Sequence, residues 1–212
     1  MKQEVVLRKI QPEDLLHVVA VHINSFPESA LTRLGAQIVR RYYLWQLTGP
    51  HKKVWATGAY VGDDCAGFSF SGIYNGSTSG FIQQNKRFLV KEVLLRPWLL
   101  FNPLFMKRLG EGVKLIRCYS KKRSPKITVA GQLQMTDYGI LSIAVADKYQ
   151  KSGIGQMLML DAEKEARKYG YRQICLTVHP DNTKAVRFYE KQNWQKFYQS
   201  DSWNGAMIKS LQ

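Results

Sequence analysis

Apolar positions along this chain change their spacing several times, and each change marks an element. The short run Val5–Ile10 predicts a strand. Pro12-Glu13-Asp14 opens a helix, with proline near its first position and acids in its first turn. Leu15, Leu16, Val18, Val19 and Ile23 give that helix an apolar face, which ends near Ser25-Phe26-Pro27. A second helix is predicted from Ser29 to Leu47, because Leu31, Leu34, Ile38, Tyr42 and Trp45 keep helical spacing. Val54–Val61 and Ala66–Tyr74, separated by Gly62-Asp63-Asp64, predict a hairpin, and Asn75–Gly80 a loop.

Beyond that loop the pattern changes character. Phe88–Leu100 and Phe101–Ile116 are apolar with interleaved Lys and Arg, and Pro97 and Pro103 break them into short helices. Lys121–Lys126 is a charged connector. Tyr138–Val145 predicts a central strand, Gly153–Tyr169 a helix, Gln173–Val178 a strand and Asp181–Gln192 a helix. Two short strands between Gln195 and Ile208 close the order β-α-α-β-β, insertion, β-α-β-α-β-β. There is no internal repeat and no low-complexity tract.

Chemistry concentrates where the central strand ends. Leu141–Val145 is followed by Gln150-Lys151-Ser152-Gly153-Ile154-Gly155, a polar turn and a glycine-bearing loop that opens a helix. Such a loop aims several backbone N–H groups at one point, where the helix dipole also favours negative charge. A phosphate-bearing ligand is expected there. The spacing is not the three-glycine dinucleotide fingerprint, and no Gly-Lys-Ser/Thr follows as in a Walker loop. A second pattern comes some thirty residues later: Asn182-Thr183-Lys184-Ala185-Val186-Arg187-Phe188-Tyr189-Glu190, then Gln192-Asn193-Trp194.

In these two patterns and their order the chain resembles the GNAT superfamily of acyl-CoA-dependent N-acyltransferases. Gln150, Gly153 and Gly155 match its Gln/Arg-x-x-Gly-x-Gly/Ala loop. Asn182, Ala185, Phe188 and Tyr189 match its Asn-x-x-Ala-x-x-Phe-Tyr-x-x-x-Gly-Phe run, with Asn193-Trp194 in place of Gly-Phe. Asparagine is the next residue after glycine to tolerate a left-handed cap, so the local geometry should survive. The resemblance is specific over about residues 136–198. It implies an α/β (α+β) fold: a central mixed, mostly antiparallel twisted sheet with a splayed parallel strand pair and helices on both faces. A basic helical insertion at about residues 77–126 would sit within a single domain spanning 1–212.

The resemblance also implies acetyl-CoA as cofactor. Amides from Lys151 through Ser152, Gly153, Ile154 and Gly155 to Gln156 would hold the pyrophosphate, with Gln150 in the same loop. Ile143, Ala144 and Val145 would pair with the pantetheine arm as an added strand does, Asn182 would bond that arm, and Tyr189 would lie near the thioester sulfur. Reference pKa values of about 10 for tyrosine and 8.5 for a thiol make full proton transfer uphill by roughly 2 kcal/mol. A hydrogen bond to sulfur as charge develops is therefore the expected role of Tyr189.

A general base is harder to find. Gly139–Val145 carries no carboxylate, and Leu176-Thr177-Val178 has Thr177 where relatives place a Glu; Asp137 is the nearest acid, and His179 a second candidate. Deprotonating an amine of pKa about 10.4 at pH 7 costs roughly 4.6 kcal/mol, against about 1 kcal/mol for one near 7.8. A site lacking a dedicated base suits an amino sugar or an N-terminal α-amine better than a lysine side chain.

The stretch from His22 to Gly35, with Phe26-Pro27 and Leu31-Thr32-Arg33-Leu34-Gly35, looks like the N-terminal segment of GNAT members associated with bacterial surface-polysaccharide assembly. That likeness implies Phe26, Ser29, Thr32 and Arg33 on the acceptor side. As plain structure, the same stretch is a helix corner with Ser29 as N-cap.

Charge then narrows the partner. The net charge is +15, and the stretch from Phe81 to Lys126 holds twelve cations against Glu92 and Glu111. An anionic partner is indicated: a phosphorylated or nucleotide-linked amine under a lid, or an anionic membrane touched by Trp98, Leu99, Leu100, Phe101 and Phe105. The third option is an excursion packed on the core. No recognition-helix or RNA-binding pattern supports nucleic acid. Three scattered cysteines, Cys65, Cys118 and Cys175, form neither a disulfide framework nor a metal site. The start has no signal-peptide core, so a cytoplasmic location is expected.

The sequence therefore points to an acetyl-CoA-dependent N-acetyltransferase working by direct attack, without metal, on an amino sugar linked to a nucleotide or carrier. A peptide or protein α-amine is the alternative acceptor, and a non-catalytic acyl-CoA-binding protein the alternative class. Oligomeric state is left open.

Overall fold

Seven strands lie side by side in one sheet, in the computed structural model that describes residues 4–50, 53–73, 77–101, 106, 138–198 and 201–211. They are β1 (Val6–Lys9), β2 (Trp55–Val61), β3 (Asp64–Gly72), β4 (Tyr138–Val145), β5 (Gln173–Thr177), β6 (Gln195–Lys196) and β7 (Ala206–Ser210). Their order is β1-β2-β3-β4-β5-β7-β6, and only β4 and β5 run parallel. The mixed, mostly antiparallel sheet is thus as expected.

Helices cover both faces. On one side α1 (Leu15–Ser25) and α3 (Ala36–Thr48) bury Leu15, Val18, Val39 and Tyr43 against Phe68, Phe70 and Ala144 of the sheet. On the other, α5 (Ile154–Lys168) sets Ile154 and Leu158 on Ala59 and Ala66. Its Met159 and Ala162 join Ile174, Leu176 and Met207, and there α6 (Thr183–Glu190) adds Val186 and Tyr189.

The single helix expected from Ser29 to Leu47 is in fact two. α2 (Ala30–Leu34) ends at Gly35, whose φ of 103° interrupts the helix before α3 begins. Ser29 caps α2, its Oγ accepting the Thr32 N–H at 3.0 Å. The break resets the helical phase, so Tyr43 and Gln46 are fully buried in α3.

The expected loop at 75–80 and the short helix from Phe88 are also corrected. Residues Ser77–Leu94 form one helix, α4. Its start is pinned to α3: the Trp45 indole donates to the Ser77 carbonyl at 2.9 Å, and the Ser77 hydroxyl donates to Gln46. Those bonds outweigh the weak intrinsic helix preference of Ser77-Thr78-Ser79-Gly80. Phe81 and Leu99 then pack with Leu34 and Ile38, while Leu94, Trp98 and Phe101 face outward, the last 88% exposed. Apart from Met106, the remainder of the basic stretch, Phe105 included, lies outside the described residues. Among those described, no helix is long and apolar enough to cross a membrane.

Candidate active site

The parallel pair closes at one end only. Tyr138, Gly139 and Ile140 pair with Ile174, Cys175 and Leu176, and the ladder stops there. From Ser142 to Val145 strand β4 keeps its partners on β3, Phe70 to Gly67, while no strand among the described residues pairs with its other edge. A physical cause is visible in the register. Ser142 opposes Phe70 and Ile140 opposes Ser71, leaving Leu141 as an extra residue in β4. Such a bulge bends its strand and sharpens the local twist. Ladder bonds alternate along an antiparallel pair and the Ala146 N–H bonds Ala66, so Ala144 turns its backbone groups to β3, while Ile143 and Val145 turn theirs to the open edge.

The glycine loop stands at the far end of that edge. Asp147–Tyr149 is a 3₁₀ turn, and Gln150 locks it by donating its amide to Asp147 Oδ1 at 2.7 Å and to the Val145 carbonyl at 3.4 Å. The Ser152 hydroxyl donates to the Tyr149 carbonyl. Lys151 and Gly153 have φ values of 64° and 90°, and α5 starts immediately afterwards. The first-turn N–H groups of α5, from Ile154 to Gln156, have no carbonyl four residues back within the helix. Lys151, Ser152, Gly153 and Gln156 are exposed, Gly155 is half-buried, and Ile154 is buried in the core.

The two glycines serve different ends. A Cβ on Gly153 would meet nothing within 4 Å, so glycine is needed there for its left-handed backbone. A Cβ on Gly155 would stand 3.2 Å from the Phe188 ring. Gly155 thus lets α5 and α6 approach, joining the two sequence patterns in space. Backbone donors at the start of a fifteen-residue helix, a few residues beyond the unpaired strand edge, suit a diphosphate and its extended arm.

On α6, Asn182 is the N-cap, its Oδ1 accepting the Ala185 N–H at 3.1 Å. Its amide N–H₂ stays outside that bond. Tyr189 is 9% exposed, between Phe188 and Trp194, with ring centroids at 5.4 and 6.1 Å. Burial pushes its hydroxyl pKa up to about 12, which keeps it a donor. Full transfer of its proton to a thiolate of pKa 8.5 would then be uphill by about 5 kcal/mol. Asn193 adopts φ 64°, the left-handed cap expected where relatives carry glycine.

Phe26, Ser29, Thr32 and Arg33, expected on the acceptor side, lie at the turn between α1 and α3. Phe26 stacks obliquely on the His22 ring, centroids 5.0 Å apart, and Arg33 pairs with Glu28. Asp137 lies outside the described residues. His179 is exposed and faces Asp181 at 3.6 Å. Among the described residues no group of three His, Cys, Asp or Glu could hold a metal.

Three residues that sequence reasoning passed over link this turn to β4. Ser29 Oγ lies 3.3 Å from His22 Nε2, and His22 Nδ1 lies 2.8 Å from the Tyr43 hydroxyl. Tyr43 in turn lies 2.9 Å from Ser142 Oγ on the free part of β4. His22 is 5% exposed, and burial lowers its pKa to about 4, so the ring is neutral at pH 7. Its place in the His22–Gly35 segment was the one available signal. The contacts span up to 99 positions, which no local pattern reveals.

Residues 126–194 match the Acetyltransferase (GNAT) family. Among solved structures, the chain is similar to PH1933 from Pyrococcus horikoshii OT3, at 18% identity and TM-score 0.59, covering 98% of each chain. It is also similar to PaiA N-acetyltransferase from Thermoplasma acidophilum, solved with coenzyme A, at 15% identity and TM-score 0.58, covering 98% of this chain and 99% of that one. An N-acetyltransferase from Staphylococcus aureus Mu50 matches at 16% identity and TM-score 0.57 over 99% of both chains. At such identities the likeness establishes the fold. No curated protein sequence matches the chain. The matched segment spans about a third of the chain and carries both the glycine loop and the Asn182 helix.

Proposed function

We propose that this chain is a one-domain, cytoplasmic N-acetyltransferase that moves an acetyl group from acetyl-CoA to a primary amine by direct attack. The favoured acceptor is an amino sugar carried on a nucleotide or a lipid-linked carrier. The carrying observation is the open edge of β4 from Ser142 to Val145, a few residues before the amide-lined loop at Gly153.

When bound, acetyl-CoA supplies the acetyl group as a thioester. The loop amides from Lys151 to Gln156 hold the diphosphate, aided by the Lys151 ammonium. Outward backbone groups of Ile143 and Val145, on either side of Ala144, align the pantetheine arm, and the Asn182 amide donates to it. Tyr189 holds a proton beside the sulfur and stabilises charge there without surrendering the proton early.

The acceptor reading rests on what lines the other side. Ser29, Thr32 and Ser142 offer hydroxyls, and the described part of β4 has no carboxylate. Hydroxyls suit a sugar, and the missing carboxylate suits an amine of low pKa. The basic stretch between Phe81 and Lys126 supplies cations for the phosphates of such a carrier.

The test mixes purified protein and acetyl-CoA with UDP-linked amino sugars, glucosamine, short peptides and spermidine, following free thiol release. Fastest turnover with an amino-sugar nucleotide is expected. Fastest turnover with peptides would transfer the assignment to α-amines, and tight coenzyme A binding without turnover would mark a binding protein.

A further inference from the structure

We propose that Ser142, Tyr43 and His22 form a proton relay. It carries the proton shed by the acceptor amine from the open edge of β4 to Ser29 and Thr32, at the turn between α1 and α3. The inference rests on the acetyltransferase reading and answers what that reading lacks, a route for the amine proton.

The direction of the hydrogens follows from one end of the chain. Ser29 Oγ accepts the Thr32 N–H at 3.0 Å and donates its single hydrogen to Thr32 Oγ1 at 2.9 Å. It has no hydrogen left for His22, so His22 Nε2–H must donate to Ser29 Oγ. A neutral imidazole carries one N–H, so Nδ1 is bare and accepts from the Tyr43 hydroxyl. Tyr43, having spent its hydrogen on His22, accepts from Ser142. Ser142 Oγ is thereby left with a lone pair free on the half-buried side of β4. The four links from Ser142 to Thr32 Oγ1 polarise in one sense, which strengthens each.

Burial separates the ends from the middle. Tyr43 is fully buried and His22 nearly so, whereas Ser142, Ser29 and Thr32 are half-buried. The rings of Tyr43 and Phe26 face His22, and burial alone shifts its pKa; on the turn itself, Arg33 pairs with Glu28.

The step balances. As the amine nitrogen bonds to the acetyl carbon, the carbon–sulfur bond breaks and sulfur leaves with its electron pair. The amine proton passes to Ser142 Oγ while the Ser142 hydrogen moves to Tyr43. The Tyr43 hydrogen moves to His22 Nδ1, and His22 releases its Nε2 hydrogen to Ser29. The Ser29 hydrogen moves to Thr32 Oγ1, and the Thr32 hydrogen goes to water. No relay member changes charge. Reset requires a proton entering at Thr32 and one leaving from Ser142 to solvent. Ser142 touches the amine and is the catalytic member; Tyr43 and His22 act through it.

Two measurements test the relay. Nitrogen-15 NMR of the wild-type protein at pH 7 should show His22 neutral and protonated on Nε2. A proton on Nδ1 would reverse every link and overturn the proposal. Kinetics then compare wild type with Tyr43→Phe, Ser142→Ala and Ser142→Thr, using the panel amine that wild type acetylates fastest. Tyr43→Phe and Ser142→Ala should lose about 100-fold in kcat at pH 7. That loss should shrink as pH passes the amine pKa, and Ser142→Thr should keep most activity. Unchanged rates, or a loss equal at all pH values, would refute it. Coenzyme A affinity of each variant, measured by calorimetry, separates the readings: absent binding in wild type sinks the acetyltransferase assignment, whereas intact binding and turnover with indifferent variants sinks only the relay.

Discussion

Replacing Gly153 by alanine isolates the contribution of the loop amides. Its φ of 90° lies in the left-handed region, where an L side chain costs about 1–2 kcal/mol. The added Cβ meets nothing within 4 Å, so no packing penalty accompanies that strain. Alanine also restricts the unfolded chain, returning roughly 0.4–1 kcal/mol. The net loss of stability should therefore be about 1 kcal/mol, or about 2–4 °C in Tm for a chain of this size. Binding should suffer more. A loop that relaxes its strain turns at least one amide away from the diphosphate, and a charge-assisted hydrogen bond contributes about 1.5–3 kcal/mol. Coenzyme A affinity should thus fall about 10- to 150-fold by calorimetry. Gly170, with φ 79° and an equally open Cβ direction just beyond the other end of α5, is the matched control. Gly170→Ala should lose similar stability and no affinity. If Gly153→Ala binds coenzyme A as tightly as wild type, those amides do not hold the diphosphate.

Tyr189→Phe keeps the ring between Phe188 and Trp194, so melting should hardly move while kcat falls roughly 10- to 150-fold; a matching fall in coenzyme A affinity would assign the hydroxyl to binding instead. Because burial holds His22 near pKa 4 against 6.5 unfolded, the unfolded chain takes up this proton first as pH falls. Stability should decline by up to about 3 kcal/mol between pH 6.5 and 4 from this residue, and urea titrations of His22→Gln should lack that component. Lys209 bonds the buried Glu163 at 2.7 Å, and Lys209→Met should destabilise by about 3–5 kcal/mol, less whatever Arg167 at 3.7 Å compensates. Chemical denaturation at pH 7 measures it, and an unchanged midpoint would contradict the pairing.

The C-terminal half was legible because local pattern and tertiary role agree there. Tyr138–Val145 is a strand with the bounds expected, and the glycine loop, the helix following Asp181 and the left-handed Asn193 all sit where spacing put them. Between Ser29 and Leu47 the apolar spacing ran unbroken through Gly35, and a glycine tolerated inside a helical pattern hides a break. The lost phase directed attention to Tyr42 instead of Tyr43. Ser77–Gly80 looks like loop because its helix depends on Trp45 and Gln46, more than thirty positions away. The relay was invisible for the same reason. Each member is an ordinary residue locally, and only the fold puts a histidine of α1, a tyrosine of α3 and a serine of β4 in line.

Leu141, the surplus position in β4, has one more implication. A strand carrying one residue more than its neighbour cannot lie flush along its whole length, so the fork beside β5 is written into the covalent count of the chain. Coenzyme A would then enter a slot that folding has already opened, and shortening this strand by one residue would zip the fork shut before any ligand arrived.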